Sequence, residues 1–387
     1  MNIVESSREL PVKGAYDVLV IGGGVAGVSA ALASARQGMK VCLVEKEYML
    51  GGLATAGIIA IYLPLCDGKG QQLISGISEE LLKESIKYGS GKIPDCWCTD
   101  GDLQERSQNR YKLRFDPPAF AYALDRIIVD NDIDLILGTS FSKVVAEENE
   151  ITYCIFENRE GRFALQAKMY VDATGDAMVA YDAGEATTEY KKNRLAGWYY
   201  SYDGEEYKLN IVQESLKIPE EQVSHLYGGI ENRDVTEFCL ESRKMAVKHA
   251  MESEKKRIIT QIASIPQIRM TRRLKGKFEL SETDDHKAFD DSVGYFGDWR
   301  KAGPVFGLPY STLVGKTNNL IIAGRCISAE ESAGDIVRAI PVCALSGEVA
   351  GTASALKIKH HMEAIQQMDI SELREVLKEN NNIVDLT

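Results

Sequence analysis

The chain has few residues that cross-link or ligate, and their spacing does not bring them together. Eight cysteines are scattered over 387 residues, without a CxxC pair and without two such pairs at metal-site spacing. We therefore expect free thiols in a reducing cytoplasm and no metal site. Cys96 and Cys98 leave a redox pair open, although a disulfide across one intervening residue would close a strained ring.

Long apolar runs are also missing. No run approaches the roughly 20 residues that a membrane-spanning helix needs, and residues 1–17 lack the apolar centre of a signal peptide. The 57 acidic residues outnumber the 45 basic residues, which gives a net charge of −12. Such an excess favours solubility and disfavours nucleic acids and anionic membranes as partners. We expect a globular protein with neither partner.

What the chain does contain, near its start, is a strand, a tight turn and a helix. Residues 17–21 form a β-branched apolar run, and small apolar residues recur at helical spacing over residues 25–37. The turn between them carries Gly22, Gly24 and Gly27. In this spacing the first glycine turns the chain, the second lets a diphosphate approach the backbone, and the third lets the helix pack on the strand. The unpaired N–H groups at the helix N-terminus favour an anion there.

A second apolar strand, residues 41–44, follows that helix and ends at Glu45. A carboxylate about 20 residues after the glycine turn is placed to accept hydrogen bonds from ribose hydroxyls. It also argues against a ribose 2′-phosphate, which it would repel. A glycine turn alone is weak support, but strand, turn, helix, second strand and acid agree here. The stretch predicts an adenine dinucleotide site rather than an ordinary turn.

Further glycine-rich segments narrow the choice of dinucleotide. Gly51 and Gly52 follow Glu45, although alone they are as consistent with an ordinary turn. With residues 171–176, residues 319–326 and the small-residue helix after them, they resemble the FAD-binding half of glutathione-reductase-like flavoproteins. In order and spacing the set is similar to the broad FAD-dependent oxidoreductase family related to thiazole synthases, heterodisulfide reductases and tRNA-modifying FAD proteins. The resemblance runs from Asp17 to about Lys357 and implies FAD as the cofactor.

The resemblance also implies which residues contact FAD. They are Gly22, Gly24, Ala26, Gly27, Glu45, Lys46, Gly51, Gly52, Ala54, Thr55, Ala173, Thr174, Gly175, Asp176, Gly324, Arg325, Arg338 and Ala339. Asp176 is expected to cap the next helix as well, and a plain N-cap would explain it equally. Arg325 stands where related flavoproteins often carry an aspartate for the ribityl chain, so that contact is unassigned. An arginine there could stabilise negative charge on the cofactor.

The same segments predict an α/β fold. We expect a Rossmann-like FAD-binding domain, with a parallel sheet and a three-stranded β-meander, and an inserted α+β substrate domain. The FAD-binding domain is expected over residues 1–185 and 309–387, and the substrate or cap domain over 186–308. Helices are predicted over 71–88, 115–129 with Asp116 as N-cap, 235–256 and 338–357, and strands over 133–137, 142–146, 151–156, 162–167, 169–171 and 320–323. Residues 89–110 are expected to form a long loop, and residues 359–387 to be peripheral.

Three residues are candidates for chemistry on the substrate: Arg325, Cys66 and Arg273. In the family geometry the loop with Cys66 would face the reactive end of the flavin, and a buried structural thiol is the alternative. Arg273 belongs to a basic stretch with Arg269 and Arg272, similar to one that the family carries. In a strand, Arg269 and Arg273 would share one face, for an anionic substrate or the flavin edge. A solvated strand with paired charges is the alternative.

These features predict an FAD-dependent oxidoreductase that transfers hydride or electrons between the flavin and a small polar or anionic metabolite. Only one dinucleotide motif is visible, so reduction would come from the substrate, a transiently docked nicotinamide or a protein electron partner. The alternatives are a thiazole-synthase-like protein that binds NAD or another adenine dinucleotide, and a non-redox flavin-binding protein. The sequence leaves a homo-oligomer open. His286 and Tyr310 are further polar groups near the basic stretch, and a lone histidine is more often structural.

Overall fold

The computed structural model describes residue 3 and residues 7–99, 101–215, 217–253 and 257–386. In these ranges the helices are α1 (Val25–Arg36), α2 (Gly76–Glu84), α3 (Leu103–Gln108), α4 (Pro117–Asp130), α5 (Met178–Asp182), α6 (Asn232–Met251), α7 (Glu331–Val337), α8 (Ile340–Lys359) and α9 (Ile370–Glu379). The strands are β1 (Val12–Ile21), β2 (Val41–Val44), β3 (Ile61–Tyr62), β4 (Leu113–Arg114), β5 (Asp134–Ile136), β6 (Ser140–Glu147), β7 (Glu150–Asn158), β8 (Gly161–Asp172), β9 (Thr187–Glu189), β10 (Tyr199–Tyr202), β11 (Tyr207–Asn210), β12 (Ile258–Ile262), β13 (Arg272–Leu274), β14 (Ser292–Gly297), β15 (Val305–Pro309) and β16 (Leu320–Ile322).

A seven-stranded sheet is the centre of the fold. Its order is β5-β2-β1-β8-β7-β6, and β16 pairs with β8. Strands β5, β2, β1, β8 and β16 run parallel, whereas β6 and β7 form antiparallel pairs that end on β8. Every residue of β2 and β16 is buried, which is typical of parallel strands covered on both faces. The predicted parallel sheet with a three-stranded meander is confirmed.

Strand β8 is one continuous strand where the sequence predicted two. Its first half pairs antiparallel with β7, and its second half pairs parallel with β1 and β16. Gln166 and Lys168 are exposed at alternate positions while their neighbours are buried, so the pleat runs through the predicted break. One strand therefore joins the meander directly to the parallel sheet.

Three other local predictions were wrong in part. Residues 71–75 precede the helix α2, which begins at Gly76. Residues 89–110 hold a 3₁₀ turn and the helix α3, because Asp102 caps α3 by accepting a hydrogen bond from the Glu105 N–H at 2.8 Å. Residues 359–387 are not all peripheral, since they contain α9, whose Leu373 and Leu377 are fully buried.

Asp116 occupies the predicted N-cap position of α4 without capping that helix through its side chain. Its carboxylate instead accepts hydrogen bonds from the backbone N–H and the hydroxyl of Ser90, at 2.6 and 2.9 Å. The prolines in the first turn of α4 leave fewer N–H groups to satisfy. The helix therefore begins where it was predicted, but for a different reason.

Helices α1 and α8 pack closely through small residues. A Cβ atom added to Gly347 would lie 2.1 Å from the Ala26 carbonyl oxygen, and one added to Gly351 would lie 2.2 Å from that of Ala30. Any side chain at either glycine would push the two helices apart. Backbone contact between these helices explains the small-residue composition of α8, and it places the start of α8 near the glycine turn of α1.

Residues 186–308 form mainly small elements. They include the sheet β11-β10-β12, the strand pair β9 and β13, and the helix α6. Two small apolar clusters lie within this segment: one of Ala196, Tyr227, Phe238 and Ile268, and one of Tyr199, Ala246 and Ala250. The main core also includes Trp198 and Leu274 from the same segment. The domain division at residues 186–308 stays a prediction.

Within the described ranges, no single helix is both long and apolar enough to cross a membrane. Helices α7 and α8 meet that criterion only when taken together, and they are bent by 85° at the break between them.

Glu348 is a buried carboxyl group on α8, only 1% exposed. Its Oε2 atom accepts a hydrogen bond from the Ile77 N–H at 2.9 Å. Burial raises the pKa of Glu348 from 4.5 to about 8. The folded state therefore holds this proton more tightly than the unfolded state does. This group's contribution to stability is present at low pH and is lost as pH rises from about 4.5 to about 8.

We expect Glu348→Gln, which stays neutral at every pH, to remove this dependence. Relative to the unsubstituted protein, its free energy of unfolding should rise by about 3 kcal/mol between pH 5 and pH 8.5. Urea unfolding at both pH values measures the difference, and Glu375→Gln at an exposed site of α9 is the matched control. An equal effect of Glu348→Gln at both pH values would contradict the prediction.

Candidate active site

An open cleft of about 1010 Å³ lies at the carboxyl ends of the parallel strands. Residues that directly follow four adjacent strands line it: Glu45 after β2, Gly22 after β1, Ala173 after β8 and Ala323 after β16. Strand β1 has β2 on one side and β8 on the other, so the chain leaves the sheet in two directions here. Such switch points are where open α/β sheets bind ligands.

The three glycines of the β1–α1 turn have different surroundings. A Cβ atom on Gly22, which has φ +105°, would lie 2.4 Å from the Ala173 carbonyl oxygen, and one on Gly27 would lie 1.8 Å from that of Gly22. A Cβ atom on Gly24 would meet no atom within 4 Å. Gly22 and Gly27 are thus required by packing inside the protein. Gly24 instead leaves space in the cleft at the N-terminus of α1, where a diphosphate fits.

The second glycine pair is joined to the first turn. Gly51 and Gly52 have φ values of +98° and +54°, which favour glycine. The Gly51 N–H donates to the Gly23 carbonyl at 2.8 Å, and Gly24 and Gly51 form a parallel β-bridge. The two turns form one wall of the cleft, as the resemblance implied.

Glu45 is buried at the tip of β2 and lines the cleft. Its two carboxylate oxygens accept backbone N–H groups, from Gly23 at 2.5 Å and from Glu47 at 2.8 Å. Burial raises the pKa of Glu45, and these two hydrogen bonds oppose that effect. Each oxygen can accept more than one hydrogen bond, so ribose hydroxyls can still bind.

Asp172 holds the turn that follows β8. This buried carboxylate accepts hydrogen bonds from the Thr174 hydroxyl at 2.7 Å, the Thr174 N–H at 3.1 Å and the Ala180 N–H at 2.9 Å. Burial raises the pKa of Asp172, and the hydrogen bonds oppose the rise. The residue was not predicted as a site residue, yet it positions Thr174 at the edge of the cleft.

Asp176 does not cap a helix. The N-cap position of α5 is taken by Ala177, which has φ +47°. The Asp176 carboxylate instead accepts a hydrogen bond from Arg325 Nη2 at 2.8 Å and lies 2.7 Å from the Thr271 hydroxyl. The helix-cap prediction is wrong because a tertiary ion pair takes the side chain away from α5.

Arg325 joins three segments at the cleft. Its Nε atom donates to the Gly175 carbonyl at 2.8 Å, its Nη1 to the Ile268 carbonyl at 2.6 Å and its Nη2 to Asp176. The guanidinium therefore ties the end of β16 to the end of β8 and to the segment before β13. Its geometry indicates a positioning residue, and its direct role in catalysis stays a prediction.

Arg269 lies beside the cleft with an unmet hydrogen-bonding need. It precedes β13 rather than belonging to it, so Arg269 and Arg273 do not share a strand face as predicted. Its buried Nη1 atom has no hydrogen-bond partner among the described residues. Burial and repulsion by Arg338 and Arg325 lower the pKa of Arg269 to about 9, which leaves a cation at neutral pH. A buried cation of this kind is stabilised when an anion binds next to it.

Most of the predicted cofactor residues line the cleft, and Gly27, Thr55 and Ala339 do not. Gly27 packs on the first turn, as described above. The buried Thr55 hydroxyl donates to the Leu50 carbonyl, and Ala339 is the N-cap residue of α8. These three support the walls of the cleft from behind, and their direct contact with the cofactor stays a prediction.

The other candidates for chemistry lie outside the lining. Cys66 is fully buried, with its Sγ atom 3.4 Å from the Tyr111 N–H. Arg273 is buried, with Glu279 4.0 Å away. Their predicted catalytic roles stay predictions. His286 is exposed, and the buried Tyr310 hydroxyl donates to the Ile365 carbonyl at 2.9 Å. Cys96 is buried and Cys98 exposed, both as free thiols.

The cleft also has lining residues that were not predicted. They are Val25, Glu47, Leu53, Gly229, Ile265, Pro266, Ile268, Thr271, Ala323, Ile340 and Cys343. Ile340 and Cys343 belong to the first turn of α8, which the resemblance already places at the cofactor. Burial raises the pKa of Cys343 to about 12, so its thiol stays protonated. In the described part of the chain, no group of three or more His, Cys, Asp or Glu side chains is arranged to hold a metal ion.

The sheet, the paired glycine turns and the acid at the tip of β2 define a dinucleotide-binding α/β protein of the flavoprotein type. The chain matches the FAD dependent oxidoreductase family over residues 17–197 and 190–377. It belongs to that family. The family has FAD as its cofactor, and the space at Gly24 and the lone pairs of Glu45 fit its diphosphate and ribose.

The curated relatives match part of the chain. A digeranylgeranylglycerophospholipid reductase from Methanoculleus marisnigri is 29% identical over 184 residues, which cover 45% of this chain and 40% of the relative. A thioredoxin reductase from Ureaplasma parvum is 32% identical over 71 residues, 18% of this chain and 23% of the relative. The chain thus matches less than half the length of either relative.

A solved structure matches almost the whole fold. The p-nitrophenol 4-monooxygenase from Pseudomonas putida aligns with a TM-score of 0.53 and 12% identity over 94% of this chain and 84% of its own. At that identity the likeness concerns the fold alone.

Proposed function

We propose that the protein is an FAD-dependent oxidoreductase that transfers hydride or electrons between bound FAD and a small polar or anionic metabolite. Bound FAD supplies the redox chemistry. The chain's own residues bind the cofactor, orient it and hold the substrate beside it. The observation that carries the proposal is the arginine group formed by Arg269, Arg325 and Arg338 at one cleft, with one buried nitrogen unpaired.

The walls described above would hold the cofactor by its polar parts. The turn at Gly24 and the N-terminus of α1 would take the diphosphate, and Glu45 would accept hydrogen bonds from the ribose. The N-terminus of α8, at Ile340, borders the other end of the cleft. Its N–H groups and helix dipole favour negative charge at that end.

The arginine group supports an anionic substrate because its three charges are unequally compensated. Arg325 is paired with Asp176, and the Nε atom of Arg338 donates to Asp335 at 2.9 Å. Arg269 has no ion pair within 4 Å among the described residues, and its guanidinium lies 5.0 Å from the ring centre of Trp198. A carboxylate or similar anion would complete its hydrogen bonding. We propose this position for the anionic group of the substrate.

Two measurements test the proposal. The purified protein should show a flavin absorption spectrum and release FAD on denaturation, as identified by mass spectrometry. Under anaerobic conditions, a panel of small carboxylates should include compounds that bleach the flavin. A colourless protein that does not rebind FAD would refute the cofactor assignment, and bound NAD would favour the adenine-dinucleotide alternative. Reoxidation by nicotinamide or by a protein electron carrier would identify the proposed redox partner.

Replacing Arg269 with methionine should weaken the use of an anionic substrate. Loss of one hydrogen bond to a charged group is expected to lower kcat/KM by about 10- to 100-fold. The free energy of unfolding should stay the same or rise, because an unpaired buried cation is replaced by an apolar side chain. Steady-state kinetics with a substrate from the bleaching screen measures the effect.

Arg272→Met is the matched control for this change. Arg272 donates to Glu189 at 3.1 Å and stacks 3.8 Å from the ring centre of Tyr181, so it has partners of its own. Its replacement should lower stability with less than a threefold effect on kcat/KM. Equal kinetic losses in both variants would contradict a specific role for Arg269.

A further inference from the structure

A second cavity, of about 330 Å³, lies in the cap segment next to the cleft. Its lining is mostly apolar and includes Ala196, Phe238, Ala246 and Ile262. Ile265 and Pro266 border both this cavity and the cofactor cleft. The volume is at the small end of the range for ligand pockets, about 300–1,000 Å³. The cavity is therefore large enough for a compact apolar group and adjoins the redox site.

Two hydrogen-bonding groups in the wall of this cavity have no partner. The Nε1 atom of Trp198 and the Oγ atom of Ser242 are buried and make no hydrogen bond within the described residues. Each of the two residues is only 9% exposed. Leaving a buried donor unpaired costs about 1–3 kcal/mol, and native proteins rarely do so without a reason. Because an indole N–H can only donate, the missing partner must be an acceptor.

Trp198 connects this cavity to the redox site. Its backbone N–H donates to Gln267 Oε1 at 2.8 Å, and Gln267 Nε2 donates to the Gly57 carbonyl at 2.9 Å. Gly57 lies shortly after the Gly51–Gly52 turn, so the indole is anchored to the cofactor wall. The same indole ring lies against the guanidinium of Arg269. One side chain thus borders both the unpaired cation and the apolar cavity.

We infer that this cavity binds the apolar body of the substrate and that this body carries a carbonyl oxygen, which accepts hydrogen bonds from Trp198 Nε1 and Ser242 Oγ. The substrate class is then a small organic anion with its charged group beside Arg269 and a compact, apolar, carbonyl-bearing body in the cavity. The inference rests on the proposed function, since it treats the cavity as one part of the substrate site. It adds the hydrogen-bond acceptor and the two residues that recognise it.

A pair of probes with nearly the same shape tests this recognition. Cyclohexanone carries the acceptor oxygen, and methylenecyclohexane replaces it by a CH₂ group. Dissociation constants are measured with the FAD-loaded protein by ligand-observed NMR. We expect cyclohexanone to bind about tenfold more tightly, as one to two hydrogen bonds would provide. Trp198→Phe and Ser242→Ala should each reduce that preference, and the double variant should abolish it.

Trp97→Phe is the matched control, because the Trp97 indole already donates to the Asn109 carbonyl at 2.6 Å. It should leave the preference unchanged. Equal affinity for both probes, as expected if only water fills the cavity, would overturn the inference, and so would a preference that survives the double variant. The flavin absorbance of each variant shows that the site is folded.

Failure of the inference can be told apart from failure of the proposed function. A protein that is bleached by a small carboxylate but shows no preference for cyclohexanone keeps the proposed function and loses the inferred recognition. A protein that binds cyclohexanone through Trp198 and Ser242 but contains no flavin loses the proposed function and, with it, the assignment of the cavity to a substrate.

Discussion

Replacing Gly24 with aspartate is expected to abolish FAD binding while leaving the fold intact. The φ angle of Gly24 is −67°, and an added Cβ atom would meet nothing within 4 Å. The backbone therefore accepts a side chain, and that side chain enters the cleft. There it would fill the space for the diphosphate and place a negative charge against it. We expect the dissociation constant for FAD to rise by at least about 100-fold, which corresponds to about 2.8 kcal/mol.

Gly24→Asn separates the effect of size from that of charge, because asparagine has nearly the same shape without the charge. Its FAD affinity should fall less than that of the aspartate variant, and titration of each apoprotein with FAD measures both. The apoproteins should unfold at the same urea concentration as the unsubstituted apoprotein. If Gly24→Asp bound FAD normally, the diphosphate could not lie at this turn.

Replacing Arg325 with methionine is expected to damage both the fold and the cofactor site. The change would leave the Gly175 carbonyl, the Ile268 carbonyl and the Asp176 carboxylate without their shared donor. Breaking a buried ion pair costs about 3–5 kcal/mol, and the partial exposure of this one favours the lower figure. The free energy of unfolding should fall by about 3 kcal/mol and the FAD affinity by about 100-fold. Urea unfolding and FAD titration measure the two effects.

Arg374→Met is the matched control for stability. Arg374 also bridges carbonyl groups, donating to Ser292 at 3.2 Å and Val384 at 3.0 Å, but it does not line the cleft. Its loss should destabilise the protein without changing the intrinsic FAD affinity. Arg325→Lys keeps the charge but not the three-way geometry, and it should recover only part of the loss. Normal FAD binding by Arg325→Met would contradict a positioning role.

The parts of the site that sequence could predict are those formed by neighbouring residues. The turn at Gly22, Gly24 and Gly27 and the acid at Glu45 follow from one strand–helix–strand unit, whose period and spacing are local. The resemblance then supplied Gly51, Gly52 and the start of α8. Length of strand was harder to judge, because the alternation in β8 continues smoothly from an antiparallel to a parallel partner.

The parts that could not be predicted depend on tertiary contacts. Asp176 has the residue type and position of a helix cap, and only the folded chain shows that Arg325 takes its side chain. Gly229, Ile265 and Thr271 reach the cleft from a segment with no motif and no clear period. Arg269 and Arg273 were placed on one strand face because nothing in their spacing shows that β13 begins at Arg272.

The contact between α1 and α8 also has a consequence for synthesis on the ribosome. Ala30 emerges early, whereas its neighbour Gly351 is added about 320 residues later. At about 5–20 residues per second, this takes on the order of 16–64 s. For that interval the nascent apolar helix has no native cover on the α8 side, which makes it a natural target for a cotranslational chaperone.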